Sequence, residues 1–231
     1  IQYLGREARD MKYLYNWNAP IIWSKHEPGT FYHCAQLVLR TRDNGLTWEE
    51  VSPDLTRNQD DKQGKGGGPY TNEAVGAENY GTIAYMIESP HEKGVFYTGS
   101  DDGLVHVTKN GGETWENITI NGNPISKMDF HPNGDWFGIL NFGIEGGSVW
   151  SSSDEGLTWT EIIPHDPANK FYAVAVLPDG DIWIRDDKDI IISKDLGATW
   201  QSGGSFEKTP ILPPAVHPNG YLYLGLSEGT Y

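Results

Sequence analysis

Seven side chains in this sequence are of the types that acid–base chemistry or cation binding requires: Glu78, Tyr80, Asp101, Asp102, Glu145, Asp186 and Asp187. Two carboxyl groups held roughly 5 to 9.5 Å apart cleave glycosidic bonds, one giving a proton while the other attacks the sugar or activates water. The same oxygens, gathered around one point, would instead hold a hard cation. Residue type alone decides neither, because Asp101-Asp102-Gly103 is also an ordinary turn. Other chemistries are poorly served. His33, His106 and His165 show no HxH or HExxH spacing, so no metal site is expected. There is no Gly-x-Ser-x-Gly elbow, and Lys65-Gly66-Gly67-Gly68 lacks the Lys-Ser/Thr ending of a phosphate loop. No cofactor is expected, and a structural or loop-bound Ca2+ has no motif behind it.

Whatever these carboxylates do, they are carried on a frame that the sequence spells out four times. Thr41-x-Asp43-x-Gly45-x-Thr47-Trp48 recurs at Thr108 (Asn110, Gly112, Trp115), at Ser152 (Asp154, Gly156, Trp159) and at Ser193 (Asp195, Gly197, Trp200). The acidic side chain can close a turn by accepting backbone N–H bonds, and Asn110 can do the same. The glycine permits a positive φ. The threonine opens a strand, and the tryptophan offers a large apolar face to a neighbouring element. All of these residues are therefore expected to be structural.

The pattern resembles the Asp-box, or bacterial neuraminidase repeat. The resemblance implies a hairpin between the third and fourth strands of a propeller blade, on the outer rim and away from the ligand face. Trp48, Trp115, Trp159 and Trp200 stand 67, 44 and 41 residues apart, and periods in the forties suit four-stranded blades. A second repeat keeps the register, with Pro- and Gly-rich turns such as His131-Pro-Asn-Gly134 and His217-Pro-Asn-Gly220 each preceding an aromatic-rich strand. The fold expected is all-β: a β-propeller of four-stranded antiparallel blades with Asp-box turns, an incomplete portion (about four and a half blades) of a larger propeller protein. Blades are expected at 18–53, 81–120, 124–163 and 170–202, with a partial one at 213–231 and a long loop at 54–80. Closing a ring from these residues alone would require residues 1–17 to supply the missing outer strands.

Composition agrees with this class and excludes others. The 231 residues include 28 glycines and 14 prolines, 12% are aromatic, and no apolar run approaches a membrane span. A net charge of −15 argues against nucleic acid as a partner. The single cysteine, Cys34, rules out a disulfide framework and reads as a buried structural thiol.

In a propeller, the loops entering each first strand and the loops between second and third strands share one face, opposite the repeat turns. That places Glu78, Tyr80, Asp101, Asp102, Glu145, Asp186 and Asp187 around one mouth, where Glu78, Asp101 and Asp102 are the catalytic candidates. The remaining four are ligand-face candidates. Residues 5–120 also resemble secreted bacterial sortilin-like proteins labelled BNR-repeat glycosyl hydrolases, through Tyr15-Asn-Trp17-Asn-Ala-Pro20, Ser52-Pro-Asp-Leu-Thr56, Gly76-Ala-Glu78-x-Tyr80-Gly-Thr82 and the Thr98–Thr108 segment. That resemblance implies a secreted, periplasmic or cell-surface location and further blades or domains in the parent chain. Sialidases of the Asp-box class carry an Arg-Ile-Pro motif that is missing here, so a sialidase is disfavoured. Xyloglucanase-type hydrolases use catalytic aspartates between two propellers, whereas sortilin-type propellers bind peptides and catalyse nothing. The leading expectation is a binding module for a protein segment or glycan on the loop face. The alternative is a polysaccharide-cleaving glycoside hydrolase using the loop-face carboxylates. An exposed aromatic patch with isolated carboxylates would favour the former.

Overall fold

Each eight-residue repeat closes on itself. In the first, Asp43 Oδ1 accepts hydrogen bonds from the Thr47 N–H and the Thr41 hydroxyl, each at 2.8 Å, while Oδ2 accepts one from the Thr47 hydroxyl at 2.6 Å. The Thr41 oxygen in turn takes the Gly45 N–H at 2.9 Å. Asp154 and Asp195 repeat the arrangement, accepting from the Thr158 and Thr199 N–H groups at 2.8 Å, with Ser152 and Ser193 receiving the Gly156 and Gly197 N–H groups at 2.8 Å. Asn110 keeps the turn by reversing one bond: its Oδ1 accepts from the Thr114 N–H at 2.9 Å, but its Nδ2 donates to the Thr114 hydroxyl at 2.8 Å. The chain passes through two successive left-handed residues, as at Asn44 (φ 59) and Gly45 (φ 88), and glycine removes the Cβ penalty at the second.

These anchors make three of the four turns acid-labile. Bonds from the Thr47 hydroxyl and N–H, then from Thr41, hold the Asp43 carboxyl down at about 2, and the corresponding threonines lower Asp154 and Asp195. A folded-state pKa below the unfolded value contributes stability that is complete above pH about 3.9 and is lost as the pH falls from there toward the folded value. Asn110 does not titrate. Hydrogen exchange corrected for intrinsic rates should therefore show the Thr47 amide losing protection between pH about 4 and about 2, and the Thr158 and Thr199 amides losing it as the pH falls below about 4, with Thr114 unchanged. Equal loss at all four would refute this account.

The computed structural model describes residues 7–64, 79–142, 145–187, 189–205, 215–217, 219–223, 225–226 and 229–230. The repeats join third to fourth strands in four antiparallel sheets, each with its strands in chain order. The first blade is β1 (Ile21–Trp23), β2 (Phe31–Cys34), β3 (Val38–Thr41) and β4 (Glu49–Glu50). The second is β5 (Ile83–Glu88), β6 (Phe96–Ser100), β7 (Val105–Thr108) and β8 (Glu116–Asn117). The third is β9 (Lys127–Phe130), β10 (Trp136–Asn141), β11 (Gly147–Ser152) and β12 (Thr160–Asp166). The fourth is β13 (Ala173–Val176), β14 (Ile182–Arg185), β15 (Asp189–Ser193) and β16 (Gln201–Ser205). Two short ribbons follow: β17 (Ala215–Val216) with β18 (Leu222–Tyr223), and β19 (Gly225–Leu226) with β20 (Gly229–Thr230).

Strands β12 and β16 run past the expected blade ends at 163 and 202. Register shifts at Val149 and at Ile190 admit the extra length, and Pro164 is tolerated because β12 is an edge strand. The described residues 7–20 contain a 3-10 turn, Ala8–Asp10, and no strand, so they supply no outer strand of the kind ring closure would need. They are tied instead to the loop after β4, through Ala8 N–H to the Gly64 carbonyl at 3.1 Å and Arg9 N–H to that of Gln63 at 3.2 Å.

The chain divides into two units, one through Thr119 and one from Ile120. In the first, Tyr32, Val38, Ile83, Met86 and Phe96 form a core against which Trp115 packs, its indole N–H donating to the Val51 carbonyl at 3.1 Å. Trp48 departs from that role: it is 43% exposed and donates back to its own turn, at Gly45. Cys34 is buried beside the Met86 sulfur, and burial pushes its thiol up to about 12, which leaves it chemically inert at neutral pH. The second unit is built on Phe137, Ile139, Val149, Ile182 and Ile184, with Trp200 packed against them.

Candidate functional site

In the first unit, four stretches of chain converge at the end of the blades opposite the repeat turns. The β6–β7 loop presents Asp101 and Asp102, the segment entering β5 brings Asn79 to Thr82, the chain before β1 brings Asn16 and Trp17, and the loop after β4 brings Arg57 to Lys62. Asp101 stitches two of these to its own loop. Its Oδ1 accepts the Gly81 N–H at 3.0 Å and the Thr82 N–H at 2.9 Å, and its Oδ2 accepts the Thr82 hydroxyl at 3.2 Å. Asn16 Nδ2 reaches the same Oδ2 at 3.5 Å and the Asn79 carbonyl at 3.3 Å.

Asp102 is buried, and its position depends on a residue far away in sequence. The Arg57 N–H donates to its Oδ2 at 2.6 Å, the Ser100 hydroxyl donates to its Oδ1, and Arg57 Nε donates to its carbonyl at 2.9 Å. Both carboxylates therefore hold loops in place through several donors each. Tyr80 lies between Gln59 and Lys62: its hydroxyl donates to Gln59 Oε1 and accepts from Lys62 Nζ, both at 3.3 Å, with the ammonium 5.0 Å from the ring centroid. The structure thus brings Tyr80, Asp101 and Asp102 to one end of the first unit. Glu78 lies outside the described residues.

His106 stands behind this end, opposite Thr98 across β6 and β7. Burial lowers its pKa, against an opposing pull from Asp102 and Asp54. Among the described residues, no cluster of three or more His, Cys, Asp or Glu is arranged to hold a metal ion.

In the second unit, Glu145 is exposed on the β10–β11 loop, and Asp186 and Asp187 occupy the β14–β15 loop. Asp186 Oδ1 accepts the Lys170 N–H at 3.0 Å and the Asp187 N–H at 2.8 Å, again holding a loop. The neighbouring Arg185 is buried with its guanidinium 4.9 Å from the Tyr172 ring centroid. Burial lowers its pKa, and Tyr172 and Asp187 partly offset this. Glu145 and Asp187 are the freer carboxylates here, because both are exposed.

Sequence reasoning missed the aromatic surface of the first unit. Trp17 is 70% exposed, beside the Asp101 loop, and Trp23 and Tyr85 are 69% and 63% exposed on the first, edge strands of their blades. The available signal was the run Ile21-Ile22-Trp23, apolar on both faces of a strand that has only one core to fill. Side chains of β5 alternate instead: Met86 and Glu88 point inward, Tyr85 and Ile87 outward.

No family model matches this chain, and no curated protein matches it. Among solved structures, it is similar to a GH74 xyloglucanase from Xanthomonas campestris (TM-score 0.54, 18% identity, covering 91% of this chain and 35% of that one). A streptogramin B lyase gives a TM-score of 0.52 at 10% identity, covering 98% of this chain and 72% of that one. YCF48 bound to a D1 peptide gives 0.50 at 16%, covering 85% and 58%. This chain therefore spans little more than half of the YCF48 chain and about a third of the xyloglucanase. Identities this low carry a likeness of fold alone, and with four antiparallel four-stranded sheets that fold is the β-propeller.

Proposed function

We propose that this protein is a secreted or cell-surface binding module of the Asp-box, sortilin-like class, recognising a protein segment or glycan on the loop face of its blades. The observation that carries the reading is the pairing of exposed aromatic rings, Trp17 above all, with carboxylates already committed to holding loops. Flat, rigid aromatics supply contact area to a peptide or to the C–H face of a sugar at small entropic cost. Asp101 and Asp102, by contrast, would have to break several hydrogen bonds to shuttle protons. The reading needs no cofactor, and the charge of −15 favours partners other than nucleic acid.

A glycan array and a pull-down from the host's secreted proteins, each run with EDTA present, test this. Wild-type protein should retain a specific ligand, and Trp17→Ala should weaken it by about thirtyfold, the loss typical of an interface tryptophan worth about 2 kcal/mol. Oligosaccharides released from a polysaccharide panel would overturn the reading in favour of a glycoside hydrolase.

A further inference from the structure

One face of the first blade is open where its counterparts in other blades are covered. Trp23, Phe31 and Thr41 form a row across β1, β2 and β3, and Ile21 with His33 begins the next row on the same face. The second blade has the same rows, Glu88, Phe96 and Thr108, then Met86 with Thr98. In the fourth blade they are Val176, Ile182 and Ser193, then Val174 with Ile184. The match is secure, because the third residue of each first row opens the eight-residue repeat. Glu88 and Met86 are 2% and 3% exposed, and Val176 and Val174 are 8% each, yet Trp23 and Ile21 are 69% and 67% exposed.

The repeat turns differ in the same way. In the second blade Trp115 donates to the Val51 carbonyl, and a side chain at Gly112 would run into Val51, which follows Trp48 by three residues. In the fourth blade a side chain at Gly197 would meet Ile162, three residues after Trp159. An apolar residue of the preceding blade closes each of these turns. At the first turn none arrives: among the described residues, a side chain at Gly45 would meet the Trp48 ring alone, and Trp48 returns its N–H to Gly45. Tyr13, bonded to Glu50, and Tyr15, stacked on His33 at 4.9 Å, cover part of the face and leave Ile21, Trp23 and Trp48 open.

We propose that this face is a docking surface for one further blade of the same kind, supplied from outside these 231 residues, which seats an apolar residue against Gly45 and Trp48. The rows and the turn extend across the sheet from β1 to the β3–β4 hairpin, the footprint of a second sheet rather than of a sugar or a single strand. A second copy of this chain does not fit. Three residues after its repeat tryptophans it carries Val51, Ile118 and Ile162, which are already packed or buried within it, and then Gly203, which has no side chain to offer. The resemblance to larger propeller proteins implies further blades but not where they attach. The open rows supply the place and the type of residue that fills it. Trp17 is not part of this face, so the proposal stands apart from the loop-face reading.

Hydroxyl-radical footprinting of the native protein, purified from its host and corrected for intrinsic reactivity, tests this. Ile21, Trp23 and Trp48 should lose their reactivity and be as slow to oxidise as Trp115, while Leu46, 85% exposed on the same repeat turn, reacts freely. With Trp48 replaced by photo-reactive benzoylphenylalanine, light should link that position to a segment outside these 231 residues, beside an apolar residue that follows a tryptophan by three. Trp23 and Trp48 oxidising as fast as Leu46 would overturn the proposal. So would a link to any of these residues, in the same chain or in a second copy.

Discussion

Replacing Phe137 with alanine should destabilise the protein by about 3–5 kcal/mol, the range for deleting a buried aromatic ring. Phe137 is 0% exposed on β10 and packs with Ile139, Val149, Ile182 and Ile184, the side chains on which the third and fourth blades meet. Removing the ring takes away its transfer free energy and leaves a cavity among strands that are hydrogen-bonded on both sides of β10 and cannot collapse to fill it. Against a typical total of about 5–15 kcal/mol, this is about a fifth of the stability or more. Phe137→Leu should recover most of the loss. Urea denaturation followed by tryptophan fluorescence measures both, and a cost below about 1 kcal/mol for the alanine variant would contradict the packing described.

Gly112→Ala should be nearly as damaging, for a reason unrelated to hydrophobic burial. At φ +101, a Cβ there would stand 2.4 Å from the Val51 carbonyl oxygen, the same oxygen that accepts the Trp115 indole N–H at 3.1 Å. The substitution therefore adds left-handed strain, forces one blade's backbone away from the other, and disturbs the tryptophan anchor. Together these amount to about 2–4 kcal/mol. Gly111→Ala is the internal control: its φ is +73, but nothing lies within 4 Å of the added carbon, so only the conformational cost of about 1 kcal/mol remains. Equal thermal shifts for the two variants would show that the close approach to Val51 has no energetic weight.

Much of the fold was legible because its instructions are local. The Ser/Thr, Asp, Gly and Thr of each repeat bond to one another within four residues, so the pattern announces the hairpin without knowledge of anything distant. Turns such as His131–Gly134 gave the other hairpin of each blade in the same way. The blade ends were less legible, since the shifts that lengthen β12 and β16 arise from pairing with β11 and β15 and leave no mark in composition. The site was least legible. The place of Asp102 is set by Arg57, 45 residues earlier in the chain, and an Asp-Asp-Gly triplet cannot reveal that partner. Nor does a tryptophan announce its exposure: Trp115 is a core anchor and Trp17 a surface ring, and the difference lies in which neighbours the fold places around each.

The self-sufficiency of the repeat turns also bears on how such chains arise and fold. A hairpin whose hydrogen bonds span two to four residues closes with little loop entropy, so it can form before any distant strand arrives. A duplicated segment carrying one of these octets brings its own working turn, whatever precedes or follows it. Asn110 shows the tolerance this confers: its Nδ2 donates to the Thr114 hydroxyl where the other repeats have a carboxylate oxygen accepting from theirs, and the turn keeps its Thr114 N–H bond. Lineages built from such units can add, lose or diversify blades one at a time, with selection on the loops largely uncoupled from selection on the turns.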